Sequence, residues 1–176
     1  MIWPIRSIQL VPALLVAGCN QLPDYPPPPQ REPLVRPAAT GLSYFLNMAN
    51  PRADAYIVRD ISDKTESGGF RWAFAHPVLR FLVPLMDHPK FLMDFALPEP
   101  TFRVTGPVTL TFSVNGQFLD QQRFAQVGQQ HYEREVPAGF LRAGAMNLVA
   151  IDPDKVYVAE DGVKLGFPLA RVGFVE

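Results

Sequence analysis

The chain has 176 residues, 16 basic and 17 acidic side chains, a net charge of −1 and one cysteine. That length suits one folded domain rather than two, the balanced charge supplies no field for binding nucleic acid, and a lone cysteine makes neither an internal disulfide nor a multi-cysteine zinc site. An apolar share of 48% supports a packed core, but the 19 prolines are about twice the ordinary share.

Residues 1–18 read as an export signal. Arg6 gives a basic start, and the apolar stretch from Ile8 to Ala17 has the ~7–15 residues of a signal core. It is shorter than the ~20 apolar residues that cross a bilayer, and Pro12 interrupts it. The stretch ends in Val16-Ala17-Gly18-Cys19, which resembles the lipobox of bacterial lipoproteins. The resemblance implies cleavage before Cys19 and acylation of its thiol. Acyl chains, palmitate among them, would then anchor the protein in a membrane without a spanning helix. Asn20, rather than an aspartate, follows the cysteine. By the same resemblance this implies the outer membrane. The alternative is a plain signal peptide with a chance cysteine, or a buried N-terminal strand.

Residues 19–40 form a proline-rich linker. It holds seven prolines, four of them consecutive at Pro26–Pro29, and such a run adopts polyproline II geometry. Extended at ~3.1 Å per residue it would reach on the order of 60 Å. It reads as a stalk, or as a docking peptide that uses Tyr25 and the prolines against an aromatic groove.

Residues 41–176 read as one all-β domain, a two-sheet antiparallel β-sandwich of about eight or nine strands. The best helix candidate is short, from Gly41 to Ala49, and Pro51 stops it. Ala55–Ile61 is a β-branched strand. Phe70, Trp72 and Phe74 alternate with Arg71, Ala73 and Ala75 and read as a half-buried strand. His76-Pro77 breaks the phase, and Leu79, Phe81 and Val83 continue on the other parity, which predicts a bulge or a corner between sheets. Pro84–Lys90 is a turn, and Phe91, Met93, Phe95 and Leu97 alternate beyond it. The clearest hairpin follows. Val108, Leu110, Phe112 and Val114 share one face, Thr109, Thr111 and Ser113 the other, and Asn115-Gly116 supplies a type I′ turn. Pairing across that turn sets Leu119 opposite Phe112 on the buried face and Phe118 opposite Ser113 on the polar face. Gln129–Val136 alternates weakly, and Pro137–Gly144 is a turn. Asn147–Ile151 and Lys155–Ala159 are short strands split by Asp152-Pro153-Asp154, and Asp161-Gly162 makes another hairpin turn. In the last strand Leu165, Phe167 and Leu169 lie on one parity and Val172 and Phe174 on the other, so a bulge is expected near Ala170-Arg171.

The stretches Leu165-Gly166-Phe167 and Arg171-Val172-Gly173-Phe174, with the Val114-Asn115-Gly116 hairpin, resemble jelly-roll domains of the carbohydrate-binding type attached to some bacterial surface enzymes. The resemblance is architectural, spans roughly residues 55–176, and implies no catalytic residue. The residues themselves point the same way. There is no G-x-S-x-G elbow, no glycine-rich phosphate loop and no pair of histidines at metal-ligand spacing, so neither a cofactor nor a metal is expected. His131, Glu133 and Glu135 share a strand parity and read as a solvated face. Trp72 is a candidate sugar-stacking platform, although its parity with Phe70 and Phe74 favours the core. Phe118, on the polar parity beside a turn, is the better exposed aromatic. Tyr132 and Arg134 share a parity and are candidates for a polar binding face. The sequence thus suggests a lipid-anchored cell-envelope protein with a non-catalytic binding domain for a polysaccharide or an envelope protein. The alternative is an assembly subunit that packs on an envelope partner, and an enzyme is the least favoured reading.

Overall fold

The computed structural model describes residues 41–176. The lipobox, Cys19 and the proline-rich segment lie outside them. The described chain contains eleven strands, one short α-helix and one 3-10 turn at Ala53–Ala55: β1 (Phe45–Asn47), β2 (Ile57–Ile61), β3 (Arg71–Val83), β4 (Lys90–Leu97), α1 (Glu99–Thr105), β5 (Val108–Val114), β6 (Gln117–Phe124), β7 (Gly128–Glu135), β8 (Ala145–Pro153), β9 (Tyr157–Val158), β10 (Lys164–Leu165) and β11 (Phe167–Val175). The strand order β6-β5-β8-β3-β11-β4-β7 is antiparallel throughout, with β2 added on β3 and β1 on β11.

This path folds into two layers because β3 belongs to both. Its last residues, Val78–Val83, pair with β8. Its first, Arg71–Ala73, pair with Phe167–Leu169 of β11. His76-Pro77 lies between the two pairings, at the predicted corner. Proline lacks the N–H that a continuous ladder would need at this point. One layer is therefore β6-β5-β8-β3 with β2, and the other is β11-β4-β7 with β1. Their inner faces meet through aromatic rings: Phe81 against Phe174 with centroids 5.7 Å apart, Phe91 against Phe112 at 6.0 Å, and Phe124 against Phe95 at 4.9 Å. Such edge and tilted pairs contribute about 0.5–1.5 kcal/mol each beyond the area they bury. The domain is an antiparallel β-sandwich, as expected.

Several local expectations are corrected. Gly41–Ala49 is not a helix: Leu46 and Met48 are buried at period two, and β1 pairs in register with β11 from Phe45↔Gly173 to Asn47↔Arg171. The phase break in β3 does not occur either. Arg71 and Ala73 point inward with Leu79, Phe81 and Val83, and Phe70, Trp72 and Phe74 are only half buried. Arg71 can face inward because its guanidinium pairs with Asp54 and donates to the Ser62 carbonyl oxygen at 3.3 Å. Charge pairing at the end of the core outweighs the aromatic alternation. In β6 the register with β5 shifts between Phe112 and Ser113, so that Asp120, not Leu119, stands opposite Phe112. Leu119 is the extra residue of the resulting bulge. The bulge expected near Ala170-Arg171 is present, between Leu169 and Arg171 in the pairing of β11 with β4. Helix α1 gave no sequence signal at helical period. It starts after Pro98, has proline in its first turn, and stops at Gly106, whose φ is 68°.

Candidate functional site

The site is best built from the β5–β6 hairpin. Asn115 and Gly116 have φ of 51° and 79°, the left-handed pair that a type I′ turn requires. The turn is also bolted from outside. The Asn115 side-chain amide donates to the Phe140 carbonyl oxygen at 2.7 Å and to Asn147 Oδ1 at 2.8 Å, and its oxygen accepts from the Leu148 amide at 2.9 Å. Asn147 is fully buried. Its oxygen also accepts from the Arg142 amide at 2.8 Å, and its NH₂ donates to the carbonyl oxygens of Arg142 at 3.0 Å and Ala145 at 2.9 Å. Two acceptor and two donor positions are thus all filled. A buried amide in that state rigidifies its surroundings, whereas a half-satisfied one would weaken them.

The rigid turn sets Phe118 opposite Ser113, as the alternation predicts, with 63% of its surface exposed. Phe118 heads the outer face of the first layer. Next to it, in register, lie Ser113 and Ala150. One row further on lie Gln121, Thr111 and Asp152. Gln121 donates to the Thr111 hydroxyl at 3.0 Å. Asp152 Oδ1 stands 2.9 Å from His76 Nδ1, which ties β8 to the corner of β3. Beyond them Asp154 accepts the Thr109 amide at 2.7 Å. On the other side of Phe118 stand two exposed apolar side chains, Leu148, 45% exposed and opposite Arg80, and Met146 beside Leu82. The whole is a surface of hydroxyl, amide, carboxylate and imidazole groups with one exposed aromatic ring beside them.

The four proposed contact residues do not converge. Trp72 lies on the outward side of β3, six positions along the strand from Val78. Val78 is opposite Ala150, in the row of Phe118. At about 3.3 Å per residue that is about 20 Å along the strand alone. Tyr132 does not belong to a binding face. Only 1% of it is exposed, its ring stacks on Phe112 with centroids 3.9 Å apart and planes within 6°, and its hydroxyl donates to Asp120 Oδ2 at 3.0 Å. Burial, reinforced by that hydrogen bond, pushes the Tyr132 hydroxyl well above its ordinary pKa. Tyr132 is inward because β7 closes the open side of the sandwich, and it is the one aromatic side chain the strand offers to the core. Arg134 shares its parity but lies one row nearer the rim, half exposed, with Nε 3.6 Å from the same Asp120.

Arg134 lines a different feature, an open cleft of about 1070 Å³ at one end of the sandwich. The β3–β4 connection and the β7–β8 connection form its walls, and Leu119, Glu133, Arg134 and Glu135 form its floor. At the opposite end an apolar groove of about 360 Å³ lies between Phe70, Pro98, Val127 and Pro168.

On the outer face of the second layer, His131, Glu133 and Glu135 do share a side, as read from the alternation. Sequence reasoning missed what faces them. Asp94 is opposite His131 and also beside Arg171. Asp94 Oδ1 lies 2.7 Å from His131 Nδ1, and its Oδ2 accepts from the Arg171 guanidinium at 2.7 Å. The His76–Asp152 pair was missed for the same reason, since its members are 76 positions apart in the chain. Among the described residues no three His, Cys, Asp or Glu side chains are placed to hold a metal ion.

No family model matches the chain, and no curated protein matches its sequence. The chain is similar to several solved structures. It is similar to a family 35 carbohydrate-binding module from an environmental isolate, at 13% identity and a TM-score of 0.45, over 65% of this chain and 77% of that one. It is similar to a carbohydrate-binding module from Cellvibrio mixtus lichenase 5A, solved with cellotriose, at 11% identity and a TM-score of 0.41, over 77% of this chain and 98% of that one. It is also similar to part of a family GH115 4-O-methyl-α-glucuronidase, at 12% identity and a TM-score of 0.47, over 77% of this chain and 18% of the enzyme. The neighbours include carbohydrate-binding modules.

Proposed function

We propose that the domain is a non-catalytic glycan-binding module. The observation that carries this reading is Phe118, an aromatic ring 63% exposed beside a surface of hydroxyl, amide, imidazole and carboxylate groups held in register. A sugar ring offers a face of polarised C–H bonds and a rim of hydroxyls. The C–H face suits the negative face of an aromatic ring, and the rim suits groups that both donate and accept hydrogen bonds, as Gln121, Thr111 and Ser113 do. In this proposal Cys19 is acylated, residues 19–40 are the stalk, and the domain works in the cell envelope at the outer membrane. The lipobox is the support for that part.

Calorimetric titration against a panel of soluble envelope and plant-type polysaccharides tests it. At least one polymer should bind, and Phe118→Ala should weaken that binding about tenfold or more, the usual cost of truncating a central aromatic anchor. A panel without a binder, or a Phe118→Ala variant with unchanged affinity, overturns it. A second reading has its own observation. Leu148 and Met146 add exposed apolar side chains to the Phe118 side of the face, and a protein partner would cover them. A panel without a binder would make that assembly role the favoured function.

A further inference from the structure

The open edge of the second layer has a use that glycan binding does not absorb. Among the described residues β7 pairs with β4 alone. That pairing runs unbroken over eight positions, from Lys90↔Glu135 to Leu97↔Gly128. The other terminal strand, β6, is interrupted by the bulge at Leu119, a device that spoils an edge for further pairing. β7 has no such interruption. It offers a straight row of backbone donors and acceptors on the side away from β4, and it ends in the cleft of about 1070 Å³.

Charge and shape then describe the occupant. Along the outer side of this edge stand Glu133 and Glu135. Lys90 offsets part of that charge by binding Glu133 at 2.9 Å. Glu135 meets only the His88 ring at 3.6 Å and remains 70% exposed, and Asp87 adds a further carboxylate on the wall of the cleft. On the inner side Arg134, half exposed, leans toward Asp120 at 3.6 Å, and beside it stand apolar side chains of the cleft, Leu119 on the floor, Leu141 on the wall and Leu85, 83% exposed, at the lip. One side of the edge is acidic, and the other carries a single arginine beside the apolar side chains of the cleft. An extended segment whose residues alternate basic and apolar matches both, because successive side chains of a strand point to opposite faces. A second copy of the chain fits poorly, since edge-to-edge pairing would set two acidic strands against each other.

We propose that β7 and the cleft at its end form a docking site for an extended, basic and apolar alternating segment of a partner protein, which adds to the sheet as a further strand. The test uses the full chain and a fluorescent blocked peptide, Ac-Lys-Val-Lys-Val-Lys-Val-Lys-NH₂, with Ac-Glu-Val-Glu-Val-Glu-Val-Glu-NH₂ as its charge mirror. The basic peptide should bind in anisotropy titrations, and it should slow hydrogen exchange at alternate amides of β7, those that face away from β4. The double variant Glu133→Lys, Glu135→Lys should weaken it on the order of five- to tenfold, the effect of losing two exposed ion pairs. Phe118→Ala should leave peptide binding unchanged, so failure here is separable from failure of the glycan reading. Absence of binding, equal binding of both peptides, or exchange protection elsewhere than β7 overturns the proposal.

Discussion

At the scale of single residues the informative side chain is Tyr132. It was a candidate for a polar binding face and is part of the core, with its hydroxyl bonded to Asp120 and its ring stacked on Phe112. Replacing it with phenylalanine keeps the stacking and removes the hydrogen bond, at a cost of about 1 kcal/mol. The pH dependence is more specific. Folding raises the pKa of this hydroxyl, so the folded state holds a proton that the unfolded chain releases near pH ~10. The stabilisation is complete below that pH and is lost as pH rises toward the folded pKa. Urea denaturation midpoints at pH 7 and pH 11 should therefore fall less between the two pH values in Tyr132→Phe than in the parent. An equal fall in both would show that the hydroxyl is not held by the fold. Phe118 is the opposite case. Its exposure was legible in the sequence because the Asn115-Gly116 turn fixes register, and register fixes the face. Tyr132 was not legible, since β7 alternates almost entirely among polar residues and nothing local says which parity meets the core.

At the scale of elements the β1 strand shows how a close approach replaces a helix signal. A Cβ on Gly173 would lie 2.4 Å from the Tyr44 carbonyl oxygen and 2.5 Å from the Phe45 Cα. β1 can lie against β11 only because residue 173 has no side chain. Gly173→Ala should push β1 away and destabilise the domain by about 1–3 kcal/mol, the range for overpacking. Hydrogen exchange should then be faster at Leu46 and Met48, whose neighbours change, and little altered in β5 and β8. Unaltered exchange at those two residues would mean that β1 tolerates a side chain there. The inverted face of β3 belongs to this scale too. Alternation correctly marked a strand from Phe70 onward, but Arg71 and Trp72 exchanged roles because Asp54, seventeen positions earlier in the chain, neutralises the arginine.

At the scale of the whole molecule the proposed arrangement is a lipid anchor at Cys19, a proline stalk, and a sandwich presenting the Phe118 face. Cys19→Ser removes the thiol that would be acylated. Fractionation should then move the protein from the membrane pellet to the soluble fraction without altering the melting temperature of the domain. Retention in the pellet would sink the anchor. The residues that describe this arrangement divide sharply by what local sequence can encode. The all-β class, the type I′ hairpin and the bulge after Leu169 follow from period-two alternation and from residues with restricted or permissive φ, which act within a few positions of themselves. Alternation is symmetric under exchange of the two faces of a strand. It therefore says that Trp72 and Arg71 point apart, and not which of them points inward. Only the packing of one sheet on the other broke that symmetry, burying Tyr132 and Arg71. Strand pairing within each layer brought Asp94 to His131 and Asp152 to His76, pairs set by the register of strands far apart in the chain.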